Sequence, residues 1–153
     1  MRCDPEHSLE IQLPFLQRVQ REEFLLLPVM VRDQSERAAR ALGASLATIL
    51  QGRKAVLVAS TDFSHFFTRQ EAQTLDGEML RRLEAFDPLA VLQAEDEGVG
   101  FACGRSAVAA VLWAAQDLGA NAVQLLHYAT SGEVTGDFDR VVGYGAAVVL
   151  RVS

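Results

Sequence analysis

Leu9, Leu13 and Leu16 recur at helical spacing over residues 6–20, with Ile11 and Phe15 beside them, so the pattern predicts a helix there. Pro14 falls inside it and has no N–H for the Glu10 carbonyl, which predicts a kink or a fresh helical start. Residues 24–31 form a short continuous apolar run, as in a strand buried on both faces, although Pro28 argues against a central place in a sheet. Over residues 35–50, Ala38, Leu42, Leu46 and Ile49 fall on one stripe of a second helix. Ala55-Val56-Leu57-Val58-Ala59 is the strongest strand signal in the chain.

Thr68 and Glu71 have the spacing of a capping box, and the helix they open carries Ala72, Leu75, Met79, Leu83 and Phe86 on its inner face. Asp87 followed by Pro88 signals another, shorter helix. Residues 104–118 are apolar nearly all round, which predicts a buried helix, and Gly119 supplies the left-handed residue that ends it. Two late strands are expected near 123–128 and 141–152. Strands alternating with crossover helices predict an α/β fold, a mostly parallel sheet with flanking helices, in a single domain over residues 1–153.

Composition narrows the class. Half of the 153 residues are hydrophobic and 22% are charged, a globular balance that argues against disorder. With 14 basic against 20 acidic residues the net charge is −6, which disfavours a broad nucleic-acid footprint. No apolar run approaches the roughly 18 residues of a membrane span, and Asp4, Glu6 and Glu10 interrupt any signal-peptide pattern. Cys3 and Cys103 are too few for a disulfide scaffold. A cytoplasmic protein with free thiols, without nucleic-acid or membrane partners, is the expectation.

Ligands of open α/β sheets bind at the carboxyl ends of strands, and residues 55–59 run directly into Ser60-Thr61-Asp62-Phe63-Ser64-His65. Asp62 could orient the His65 ring and raise its basicity; the plainer reading has Asp62 capping a turn and His65 half exposed. Cys103 lies just ahead of the buried helix, where free N–H groups favour a thiolate able to bind metal or attack an electrophile. A small buried core residue is the equal alternative. His7, between acidic residues, reads as solvated on spacing alone, and His127 as packed within a strand. The glycines around Cys103 miss the dinucleotide spacing, no nucleophile elbow surrounds Ser60, and the cysteine spacing excludes a Cys-x-x-Cys zinc site.

Four segments taken together resemble one family. They are Glu6-His7-Ser8-Leu9-Glu10-Ile11-Gln12-Leu13-Pro14, Ala59-Ser60-Thr61-Asp62-Phe63-Ser64-His65, Ala102-Cys103-Gly104-Arg105, and residues 128–137 running on to Val142-Gly143-Tyr144. Their order and content resemble the Memo family, whose prokaryotic members are called AmmeMemoRadiSam system protein B. The resemblance implies a fold similar to the class III extradiol dioxygenases of the LigB type, with a pocket that holds iron or copper and a redox or dioxygenase-like role. Carried over by motif, Cys103 matches the metal-binding cysteine, while Asp62, His65 and His7 match pocket residues with catalytic roles.

The resemblance covers only the second half of the family's usual domain, so an incomplete domain and a truncated product are expected. The family's two metal-binding histidines sit in motifs of the Pro-His-Ala-Gly and Gly-Pro-Ser-His kind, and neither occurs in this sequence. An incomplete metal site follows. So does an apolar sheet edge that invites self-association or pairing with the missing N-terminal half. The alternative function is a non-catalytic binding module, or a remnant, that recognises a peptide or protein partner.

Overall fold

The computed structural model describes residues 8–153. His7 and Cys3 lie outside the described residues. The chain divides into two compact units, one up to Arg32 and one from Asp33 onward.

In the first unit, α1 (Ser8–Val19) is one continuous helix through Pro14, so no fresh start occurs there. The apolar run 24–31 joins no ladder among the described residues, and Leu25 is fully exposed. An apolar run specifies a strand only where a partner supplies the other half of the backbone hydrogen bonds.

The second unit holds the core. Its helices are α2 (Glu36–Leu50), α3 (Arg69–Glu84), α4 (Pro88–Asp96), α5 (Arg105–Asp117) and the short α6 (Gly132–Thr135). Local signals fix their ends. Ser35 caps α2, the Thr68–Glu71 capping box opens α3, and Asp87 caps α4 by accepting the Ala90 N–H at 3.0 Å. Gly119, at φ +90°, follows α5 in the left-handed conformation. Phe63, Met79, Leu83, Val91 and Leu112 form the main apolar cluster, with Leu125, Tyr128 and Val149 packed on it. A second cluster joins α2 to α5 through Ala39, Ala109 and Ala110.

The sheet corrects the mostly parallel expectation. Among the described residues it is three-stranded and antiparallel, in the order β1 (His65–Phe67), β3 (Val141–Leu150), β2 (Ala122–Thr130). β2 and β3 follow each other across α6, a connection short enough for a hairpin and too short for a parallel crossover. Segment 55–59, the strongest sequence signal for a strand, belongs to no ladder among the described residues. His127 is also corrected: it is exposed, because the β2–β3 register shifts between Leu125 and His127 and breaks the alternation of faces. No described helix is long and apolar enough to cross a membrane.

Candidate functional site

The loop after segment 55–59 is pinned on two sides. Phe63 donates its N–H to the Gly143 carbonyl at 3.0 Å, and Gly143 returns one to the Ser64 carbonyl at 2.9 Å. From the other side, the buried Asp76 of α3 accepts the Ser64 N–H at 2.9 Å and the Tyr128 hydroxyl at 2.7 Å. A Cβ on Gly143 would overlap the Asp76 carboxylate, so this approach of strand to acid requires glycine. Burial, and then the bond to Asp76, push the Tyr128 hydroxyl above its ordinary range.

On this base the Cys103 turn docks against residues 61 and 62. Cys103 donates its N–H to the Asp62 carbonyl at 3.2 Å, and its sulfur accepts the Asp62 N–H at 3.3 Å. Thr61 ties the two loops together: Oγ1 accepts the Gly104 N–H at 2.8 Å, donates to the Asp62 carbonyl at 2.9 Å, and lies 3.5 Å from the Cys103 sulfur. Gly104 fits because it has no Cβ; one would stand 2.9 Å from the Ser60 carbonyl oxygen and 3.0 Å from the Thr61 Cβ. The Cys103 thiol itself is exposed, ahead of the α5 N-terminus.

His65 opens β1. Its Nε2 lies 3.6 Å from Asp62 Oδ2, with the His65 side chain 28% and the Asp62 side chain 48% exposed. That separation exceeds a hydrogen bond and becomes an ion pair when the ring is protonated. The ring is steadied by Phe101, edge-on at a centroid distance of 5.4 Å. Next to it Phe66 sits at φ +64°, where the pairing of β1 with β3 shifts register. Such a bulge at a strand end re-aims the flanking side chains. Tyr144 completes the neighbourhood, its hydroxyl pushed up by burial first and then by the Asp62 charge.

The structure thus brings Cys103, Asp62 and His65 onto adjoining stretches of backbone, while His7 lies outside the described residues. Sequence reasoning misses Thr61, Phe101 and Tyr144. Thr61 stands within the strand-end loop that the sequence singles out, but a contact across 42 positions leaves no local trace. Among the described residues, no group of three or more His, Cys, Asp or Glu side chains is placed to hold a metal ion.

A profile described as Memo-like protein matches residues 2–148. A MEMO1 family protein of Methanopyrus kandleri is 38% identical over 148 residues, covering 95% of this chain and 52% of the relative. Another from Methanosarcina mazei is 38% identical over 146 residues, 94% of this chain and 55% of the relative. A third, from Nitrosopumilus maritimus, is 40% identical over 141 residues, 92% of this chain and 51% of the relative. The chain therefore spans about half the length of the curated relatives it matches, and the match runs through every segment of the site just described. This chain belongs to the Memo-like protein family.

Proposed function

We propose that the chain carries a thiol-centred site for a small molecule, with Cys103 as the reacting or ligating group and the Asp62–His65 pair handling a proton. The observation that supports this reading best is the docking of the two loops. Asp62 donates its backbone N–H to the sulfur, and its carboxylate faces the His65 ring. An exposed sulfur ahead of a helix start is placed to meet an electrophile or a metal. The carboxylate of Asp62 faces the imidazole, which takes up the proton that the Cys103 thiol gives up when it reacts and returns it to the bound molecule.

Iron or copper, a LigB-like fold and a dioxygenase-like role come from the family resemblance. The described residues do not by themselves form a cage for either ion, whose sites ordinarily use three or more protein donors. His7 is the further imidazole that the resemblance supplies. When bound, such a metal would polarise substrate or dioxygen. Of the described residues, Cys103 would be its protein ligand.

The test is carried out in a Cys3→Ser background, so that one thiol reports. Iodoacetamide alkylation of Cys103 near neutral pH should slow at least about tenfold in His65→Gln. An unchanged rate would remove the imidazole from the chemistry and leave a peptide-binding module as the better reading. Titration with iron(II) or copper(I) tests the metal separately. One ion retained per chain, and lost in Cys103→Ser, supports it; no retention by the parent chain overturns it.

A further inference from the structure

Three peptide units separate Asp62 from His65, and each is held by a bond of its own. The Asp62–Phe63 unit donates the Phe63 N–H to the Gly143 carbonyl at 3.0 Å, and the Ser64–His65 unit accepts the Gly143 N–H on the Ser64 carbonyl at 2.9 Å. The middle unit, Phe63–Ser64, is held by a side chain: Asp76 Oδ1 accepts the Ser64 N–H at 2.9 Å. Asp76 is completely buried, its other oxygen accepts the Tyr128 hydroxyl at 2.7 Å, and among the described residues no cation pairs with it. A buried carboxylate without a cation is a costly acceptor for one N–H, which a neutral carbonyl would satisfy with a smaller desolvation penalty. Two further departures fall at the same place. The Ser64 hydroxyl is buried without a partner among the described residues, and β3 carries a glycine at 143, where a Cβ would overlap the acid. Local costs gathered on one short loop are expected where geometry serves a site.

We infer that Asp76 is a positioning residue, which fixes the plane of the Phe63–Ser64 peptide and so aims the Asp62 carboxylate and the His65 ring at each other. This role rests on the proton handling proposed for that pair. Each peptide unit is planar, so turning one of them swings the chain on either side of it. Gly143 holds the outer two units with its N–H and its carbonyl, both already engaged, and leaves the middle one free to turn. With Asp76 in place, that turn would break a hydrogen bond and leave a buried N–H and a buried carboxylate oxygen unpaired. The same hold extends to the thiol, because Asp62 donates its N–H to the Cys103 sulfur at 3.3 Å and accepts the Cys103 N–H on its carbonyl. Asp76 acts through this backbone and takes no part in the proton transfer itself.

The experiment is a double-mutant cycle on iodoacetamide alkylation of Cys103 in the Cys3→Ser background, with Asp76 and His65 changed singly and together. In the parent, His65→Gln measures the contribution of the imidazole, expected at about tenfold or more. Asp76→Ala, which removes the acceptor of the Ser64 N–H, should shrink that His65 dependence to about twofold or less. Asp76→Asn, whose amide oxygen still accepts the Ser64 N–H, should restore it to at least about fivefold. Tyr128→Phe is the control for general loosening: it strips the other partner from Asp76, yet should leave the His65 dependence within about twofold of the parent. Should Asp76→Ala not fold, Asp76→Leu combined with Tyr128→Phe, apolar at both ends of the lost bond, takes its place with the same expectation. A His65 dependence that persists without Asp76 overturns the inference and leaves the proposed function standing. So does an equal loss in Tyr128→Phe, a failure of Asp76→Asn to restore the dependence, or a failure of both replacement variants to fold, which would make Asp76 a residue of the core alone. No His65 dependence in the parent instead overturns the proposed function, and the positioning role falls with it.

Discussion

Met79 and Val56 are both apolar residues of the larger unit, but Met79 is completely buried and Val56 stands largely in solvent. Met79 lies on α3, whose start is set by a capping box and whose buried Met79 and Leu83 share one cluster with Phe63 and Val91. Every contact it needs is supplied by chain on hand. Val56 belongs to a segment that joins no ladder among the described residues. The contrast separates two kinds of information. Helices close their own hydrogen bonds and need neighbours only for one face, whereas a strand leaves its edges unsatisfied until another strand arrives.

Met79→Ala should produce the largest effect, because truncating a buried side chain removes transfer free energy and leaves a cavity. A loss of about 2–5 kcal/mol is expected in urea unfolding of the full chain, read as a lower midpoint with an unchanged slope. A loss below about 1 kcal/mol would mean that this core is loosely packed, and the contrast with segment 55–59 would collapse.

Tyr128→Phe ranks second and has a pH signature. The hydroxyl donates to the buried Asp76, so its removal strips one partner from a carboxylate that water does not reach. The expected loss is about 1–3 kcal/mol near neutral pH. Burial, and then the bond to Asp76, hold the folded-state hydroxyl protonated past the ordinary tyrosine value of 10.0. The unfolded chain therefore releases its proton first as pH rises, and the stabilisation, complete below about pH 10, is lost above it. Equilibrium unfolding at several pH values should show the stability gap between the parent chain and Tyr128→Phe narrowing above about pH 10. A gap independent of pH would mean that Tyr128 contributes by packing alone.

The same division explains what is legible in the sequence. The limits of α3, α4 and α5 are carried by Thr68, Glu71, Asp87 and Gly119, residues that act within a turn of their own positions. Sheet direction is not legible, because the partner of each strand lies outside its own segment; residues 141–150 pair on both edges with strands that the local pattern cannot choose. His127 escapes for a related reason, since a register shift moves a side chain to the other face without any mark in composition. At the site, Asp62 and His65 are legible as polar residues closing an apolar run. Thr61 is not, because its importance rests on Gly104 and Cys103, far along the chain.

The smallest predicted effect is also the sharpest test of the contrast. Val56→Ala removes two methyl groups, as many heavy atoms as some costly core truncations, from a side chain that folding leaves 81% exposed. Destabilisation scales with apolar surface taken from water, and little is taken from water at this position. The chain alone should therefore change by no more than about 0.5 kcal/mol in the same urea experiment that penalises Met79→Ala. A loss of about 1 kcal/mol or more would show that Val56 is covered when the chain stands by itself, by its own residues or by a second copy. A concentration series would tell these apart, since only pairing of copies makes the midpoint rise with protein concentration.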